Sequence, residues 1–210
     1  MPFRTVIASA TGIAFVVVFP FLNWEPVLSR VPVPGIMLQF ATASALAAIS
    51  FGINKRPLKF FHIRGVGWRD IGAALLAIPA IIALIALVEP IANHFAESGT
   101  ASELAPHDIA DYPLGLALAT AVTAGVFEEF IYRGFVLEEL GELIHSRWVA
   151  AGISVVLFAV AHYVNNGWSP DLIYPALAGA VITVLYFARC NLTICMLLHA
   201  AIDSLHVLLR

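Results

Sequence analysis

Apolar residues run along this chain in long blocks, not in the alternating or one-faced patterns of a soluble domain. A bilayer core takes about 20 apolar residues per helix, with a range of ~17–25. Seven runs reach or approach that length: Val6–Leu22, Ile36–Ile53, Ile71–Val88, Leu114–Leu137, Trp148–Tyr163, Leu172–Ala188 and Leu192–Leu209. The pattern predicts an all-α fold, a polytopic membrane helix bundle with about seven transmembrane helices. An eighth appears if the fourth run is two elements. Only Arg189, Cys190 and Asn191 separate the last two runs. Proline and glycine mark the ends: Trp24-Glu25-Pro26 and Val31-Pro32-Val33-Pro34-Gly35 break the first connection, and Asn165 to Pro170 ends the fifth helix. The first run follows a single basic residue, Arg4, and is expected to stay as a spanning helix, since Ala8-Ser9-Ala10 precedes its apolar core.

Composition agrees. The chain has 210 residues, 60% hydrophobic and 12% charged, with a mean hydropathy of +0.90. Soluble domains are nearer ~45–50% apolar and ~25% charged. The net charge of −3 says little, because the charges are segregated. No basic, aromatic-rich block suggests nucleic acid. Cys190 and Cys195 do not form a C-x-x-C or a disulfide framework.

The second connection holds Lys55, Arg56, Lys59, Arg64 and Arg69 with no acid among them. The third, Glu89 to Pro113, holds Glu89, Glu97, Glu103, Asp108 and Asp111 with no Lys or Arg, and is expected to be exposed and mobile. The positive-inside rule then places the N-terminus in the cytoplasm and the C-terminus outside. The expected location is a prokaryotic plasma membrane.

Against this background, ionisable residues inside the apolar runs stand out. Each costs at least ~2.5–3.5 kcal/mol at membrane depth, so they pair, line a wet cavity or do chemistry. The fourth run carries Glu128, Glu129 and Arg133. Glu129 and Arg133 are four apart and share a helix face. Glu128 points about 100° away and is left for another partner. A desolvated carboxylate without a full counter-charge suits general acid–base work. The structural alternative is a helix-locking ion pair, with Glu138, Glu139 and Glu142 in a polar loop beyond it.

The fifth run carries Phe158 and His162, four apart on one face. The seventh carries His199 and Asp203, also four apart, with His206 on the same stripe near the helix end. A His–carboxylate pair can fix a tautomer or hold an imidazolium, or simply glue helices together. One shared cavity explains the polar groups of all three helices more economically than separate bland accounts. Counted from the helix starts, His162 lies about 14 residues in and His199 about 7, a depth offset of ~10 Å at 1.5 Å per residue. Tilt or a later start of the fifth helix would close that gap.

Other chemistries fit less well. Glu128, His162 and His199 are plausible zinc ligands, but no H-E-x-x-H occurs. Ser154 lies eight residues from His162 on one helix, a poor nucleophile–base pair. There is no G-x-S-x-G and no G-x-G-D.

The series Glu-Glu-x-x-x-Arg at Glu128, Glu129 and Arg133, Phe-x-x-x-His at Phe158 and His162, and His-x-x-x-Asp at His199 and Asp203 resembles the CPBP (Abi) family. That family includes type II CAAX prenyl endopeptidases and bacteriocin-processing or self-immunity proteins. The likeness covers roughly residues 113–210 of a single integral membrane domain; residues 1–112 share only membrane helices with it. The resemblance implies an intramembrane glutamic endopeptidase without a cofactor. Glu128 would activate water with His162, His199 and Asp203 would form the oxyanion side, and Glu129, Arg133 and Phe158 would support them. It also implies a peptide or protein substrate, prenylated and CAAX-type or bacteriocin-like, met among membrane lipids. Where the prenyl-protein branch often has Asn, this chain has Asp203. An ionised Asp cannot donate to an oxyanion, so Asp203 must be protonated or must act by polarising His199. Two alternatives stay open: a zinc-dependent protease using the same residues, and a non-catalytic immunity or transport protein using them as a relay.

Overall fold

The computed structural model describes residues 2–19, 34–96, 112–166 and 173–209. Every regular element among them is helical. The acidic stretch 97–111 and the Pro- and Gly-marked connections at 20–33 and 167–172 lie outside the described residues.

Helix α1 is Phe3–Val18. Helix α2, Pro34–Ala47, continues into a wide π turn at Ala48–Ile53. A short 3₁₀ turn at Leu58–Phe61 leads to α3, Trp68–Ala96. The third helix therefore runs past Val88, and Glu89 sits on it instead of opening a loop. Pro79 and Pro90 lie inside α3; membrane helices tolerate proline because neighbouring groups satisfy the freed carbonyls.

Helix α4, Leu114–Glu129, starts straight after Pro113, whose carbonyl accepts from the amides of Leu116 and Ala117. It passes without a break through a π-helical segment, Phe130–Leu137, into α5, Glu138–Ile144. The fourth run is thus one continuous rod, and its division into two spans is not seen. The residues expected as a polar loop beyond Arg133 are helical, and both Glu138 and Glu139 are buried. The chain turns at His145, in a left-handed conformation (φ 58°), into α6, Arg147–Asn166. Helix α7, Ile173–Arg189, and α8, Leu192–Leu209, meet at Cys190 and Asn191. Asn191 Oδ1 accepts from the Thr193 amide at 3.1 Å, capping α8.

Three helical stretches are long and apolar enough to cross a bilayer: Trp68–Ile91, Leu114–Ile144 and Leu192–Leu209. Four further apolar helices, Phe3–Val18, Met37–Ile53, Arg147–His162 and Ile173–Arg189, are shorter in their described extent. Of the seven expected spans, three therefore meet the length requirement here. Large apolar side chains such as Leu75, Leu76, Ile82, Val156 and Val184 face outward, the arrangement lipid favours.

The core centres on the π segment. Phe130, Phe135, Val136 and Leu137 pack with Phe61, Leu46, Tyr186 and Leu192. Helix α4 lies closest to α8. A Cβ on Gly125 would come within 2.4 Å of the Ala200 backbone nitrogen, so only glycine permits this approach. That contact sets the Glu128–Glu129 turn of α4 against the His199 turn of α8.

Candidate active site

The site begins at Glu129, a fully buried carboxylate at the last turn of α4. Its Oε1 accepts from Arg133 Nη1 at 2.9 Å and is 2.8 Å from His199 Nδ1. Because a carboxylate oxygen only accepts, Nδ1 of His199 carries the proton. Glu129 Oε2 is buried with no hydrogen-bond partner among the described residues. One oxygen therefore ties the first motif to the third.

Arg133 is held on every side. Its Nη2 donates to the Gly179 carbonyl at 2.7 Å and its Nε to Thr183 Oγ1 at 3.3 Å, both on α7. The guanidinium lies 4.8 Å from the centre of the Phe158 ring, a distance at which a cation is drawn to an aromatic face. Gly179 makes room: a Cβ there would lie 2.9 Å from Arg133 Nη2 and 3.0 Å from Phe158 Cδ1.

With Nδ1 of His199 turned to Glu129, Nε2 is the nitrogen that faces the other carboxylates. It lies 3.5 Å from Asp203 Oδ2 and 3.9 Å from Glu128 Oε2. Glu128, Glu129 and Asp203 thus surround one imidazole, that of His199. Phe158 ties in the second motif. Its ring centroid is 4.5 Å from that of His162 and 6.1 Å from that of His199. Helix α6 starts at Arg147, no later than the fifth run was expected to, and the Phe158 ring lies between the two imidazoles. His162 Nδ1 is 2.9 Å from the Phe158 carbonyl four residues back. A carbonyl only accepts, so Nδ1–H donates and, in the neutral ring, the Nε2 lone pair remains available.

One participant was not expected. Gln39, on α2, donates from Nε2 to Glu128 Oε1 at 2.6 Å. Beside it, Phe40 meets Phe127 edge-on at 5.7 Å. Glu128 is therefore not left over, as the spacing of Glu129 and Arg133 suggests, but held by the N-terminal half of the chain. The available signal was faint: Gln39 is the only amide or ionisable side chain in the run Ile36–Ile53.

The remaining candidates fall elsewhere. Ser154 is buried and donates to the Tyr132 carbonyl at 2.7 Å, with no role beside His162. His206 is exposed towards the end of α8. Cys190 and Cys195 are not paired in a disulfide. Among the described residues, no group of three or more His, Cys, Asp or Glu side chains is placed to hold a metal ion.

Glu138 and Glu139 belong to a separate ionic cluster. Glu139 accepts from Ser9 at 2.7 Å, from Asn54 at 3.3 Å, and from Arg56 through two bonds of 3.1 and 3.0 Å. Glu138 accepts from Arg147 at 2.8 Å and Tyr186 at 2.7 Å. Buried Asp70 accepts from Arg64, Arg189, Asn191 and the Gly67 amide.

Residues 110–205 match the family model described as Rce1-like, type II CAAX prenyl endopeptidase Rce1-like. The matched stretch carries all seven motif residues, and the resemblance read from the motifs holds across it. That family is one of proteases of the CAAX type. No curated protein and no solved structure matches the chain.

Proposed function

We propose that the chain is an intramembrane endopeptidase in which a glutamate activates water without a resident cofactor. The observation that carries this reading is the single imidazole of His199, clamped through Nδ1 by the buried Glu129–Arg133 pair while Nε2 faces Glu128 and Asp203. Such an arrangement fixes one nitrogen so that the other can serve a reacting group. The match to a CAAX protease model supports the reaction class.

In the proposed reaction, the Glu128 carboxylate takes a proton from water, with the Nε2 lone pair of His162 helping to orient it. The water oxygen bonds to the scissile carbonyl carbon, and the carbonyl electrons move onto oxygen. His199, doubly protonated beside the Glu129 carboxylate so that Nε2 also carries a proton, donates Nε2–H to that oxyanion, and a protonated Asp203 donates its O–H. The carbonyl re-forms, the C–N bond breaks, and the Glu128 carboxyl gives its proton to the leaving amine. Glu129 and Arg133 take no part in proton transfer. They hold His199, and Phe158 keeps the two imidazoles in register. The substrate class is a membrane-embedded peptide, with a prenylated CAAX-type C-terminus the first to test. The N-terminus is placed in the cytoplasm under this reading.

The test uses purified, folded protein in lipid, with prenylated and unprenylated peptides. Glu128→Gln and His162→Ala should each abolish cleavage. Full activity in either variant defeats the reading. A stoichiometric zinc ion whose removal abolishes cleavage, and whose return restores it, would replace this mechanism with the metal-dependent one.

A further inference from the structure

We propose that Gln39 is a positioning residue that orients the general base, so that the N-terminal half of the chain completes the active site. The inference rests on the reading of Glu128 above. Gln39 lies on α2, 89 residues from Glu128 and outside the stretch that matches the family model. Its amide nitrogen sits 2.6 Å from Glu128 Oε1. Since a carboxylate only accepts, the amide must present its nitrogen there.

The opposite end of the same amide, Oε1, is buried without a hydrogen-bond partner among the described residues. Here the side chain is committed to one carboxylate oxygen. The adjacent ring pair, Phe40 on Phe127, holds α2 against α4 at the same level. With Oε1 of Glu128 occupied, Oε2 is left on the side of His199 Nε2, 3.9 Å away. Gln39 thereby selects which oxygen takes the proton from water.

The experiment uses the full chain in lipid nanodiscs with a prenylated CAAX-type reporter peptide. Gln39→Met keeps the side-chain length and removes the donor. It should lower kcat roughly 10- to 100-fold, the range for losing a hydrogen bond to a charged group, and leave KM unchanged. Gln39→Glu places two carboxyl groups in contact, and such a pair shares a proton when the solution is acid enough. This variant should be as weak as Gln39→Met at neutral pH and recover at acidic pH, when the introduced carboxyl donates again. Simple damage to α2 would not recover in this way. Wild-type kcat in Gln39→Met, or the same pH profile for both variants, overturns the proposal. A readout independent of cleavage separates this idea from the function it rests on. The infrared carboxyl band that Glu128→Gln removes should shift in Gln39→Met. An unshifted band sinks the Gln39 assignment even if the chain is a protease. A shifted band sustains the contact even if Glu128→Gln leaves cleavage intact.

Discussion

Replacing Arg133 with Met tests the claim that the clamp on His199 depends on a compensated buried carboxylate. Arg133 is the largest fully buried side chain, and Glu129 beside it is equally buried. Removing one partner of a buried ion pair costs about 3–5 kcal/mol, because the other charge is left stranded. The structure locates most of that loss at Glu129. The Gly179 carbonyl keeps the Thr183 hydroxyl, which donates to it at 2.8 Å. Among the described residues, Glu129 keeps only His199 on Oε1, and nothing on Oε2. That surviving bond argues for the low end, ~3 kcal/mol, or about 100-fold in the unfolding equilibrium. A merely adhesive polar contact between membrane helices averages only ~0.6 kcal/mol.

Reversible unfolding in mixed micelles, followed by circular dichroism, measures the difference. Arg133→Met should fall by about 3 kcal/mol. The double variant Glu129→Gln with Arg133→Met should recover most of it, since the stranded charge is gone. Cleavage should not return in the double variant, because a neutral amide no longer offers His199 a carboxylate. A loss below ~1 kcal/mol for Arg133→Met would refute the reasoning. So would a double variant no more stable than the single one.

Gly125→Ala should destabilise the chain by about 1–3 kcal/mol through overpacking. Adding Ala200→Gly should give no rescue, because the clash is with the Ala200 backbone at 2.4 and 2.7 Å; thermal unfolding of the two variants decides. Asp203→Asn should keep kcat/KM within about tenfold, since an amide still offers an N–H, whereas Asp203→Leu should lose roughly 10²–10³-fold, as for an oxyanion donor. Equal activity in the two variants would remove Asp203 from the oxyanion side. Arg56→Ala should cost about 2 kcal/mol, below the ~3–5 of a fully buried pair because Arg56 keeps some solvent contact. Lys59→Ala should stay within about 0.5 kcal/mol. Denaturant midpoints check both.

The helices and the three motifs were legible because both rest on spacing. A run of apolar residues implies a helix in lipid whatever its neighbours, and residues four apart share a face wherever the helix packs. Glu129 and Arg133 met as that rule requires. The partner of His199 did not follow from spacing alone. Its own helix offers Asp203, but Nδ1 turns to Glu129, 70 residues away. Only the glycine-permitted approach of α4 to α8 brings these groups together, and one glycine in an apolar run does not announce which helix it touches. Gln39 was missed for the same reason. Glu138 and Glu139 were misread because three acids close together resemble a solvated loop, while Arg56, the counter-charge of Glu139, and Tyr186, which donates to Glu138, lie in distant segments.

Those counter-charges recast the basic residues of the second connection. Arg56 and Arg64 belong to the positive cluster from which orientation is inferred, yet Arg56 pairs with Glu139 and Arg64 with Asp70. Arg147 and Arg189 likewise pair with Glu138 and Asp70. The orientation rule counts Lys and Arg near helix ends without crediting acids, so the proposed topology is unaffected. What changes is the role of the charges. A buried acid without its arginine would be intolerable in this setting, so these arginines tie α3, α5 and α7 to their connections. The described residues show two kinds of polar contact. In one, at Asp70, Glu138 and Glu139, each acid has a basic partner. In the other, Glu128 has a single amide donor, Glu129 has an unpartnered oxygen, and His199 Nε2 stands 3.5 Å or more from its carboxylates. Arginine-paired acids at Asp70, Glu138 and Glu139, against a Glu128 held by one amide, are the contrast that the proposed reaction site predicts.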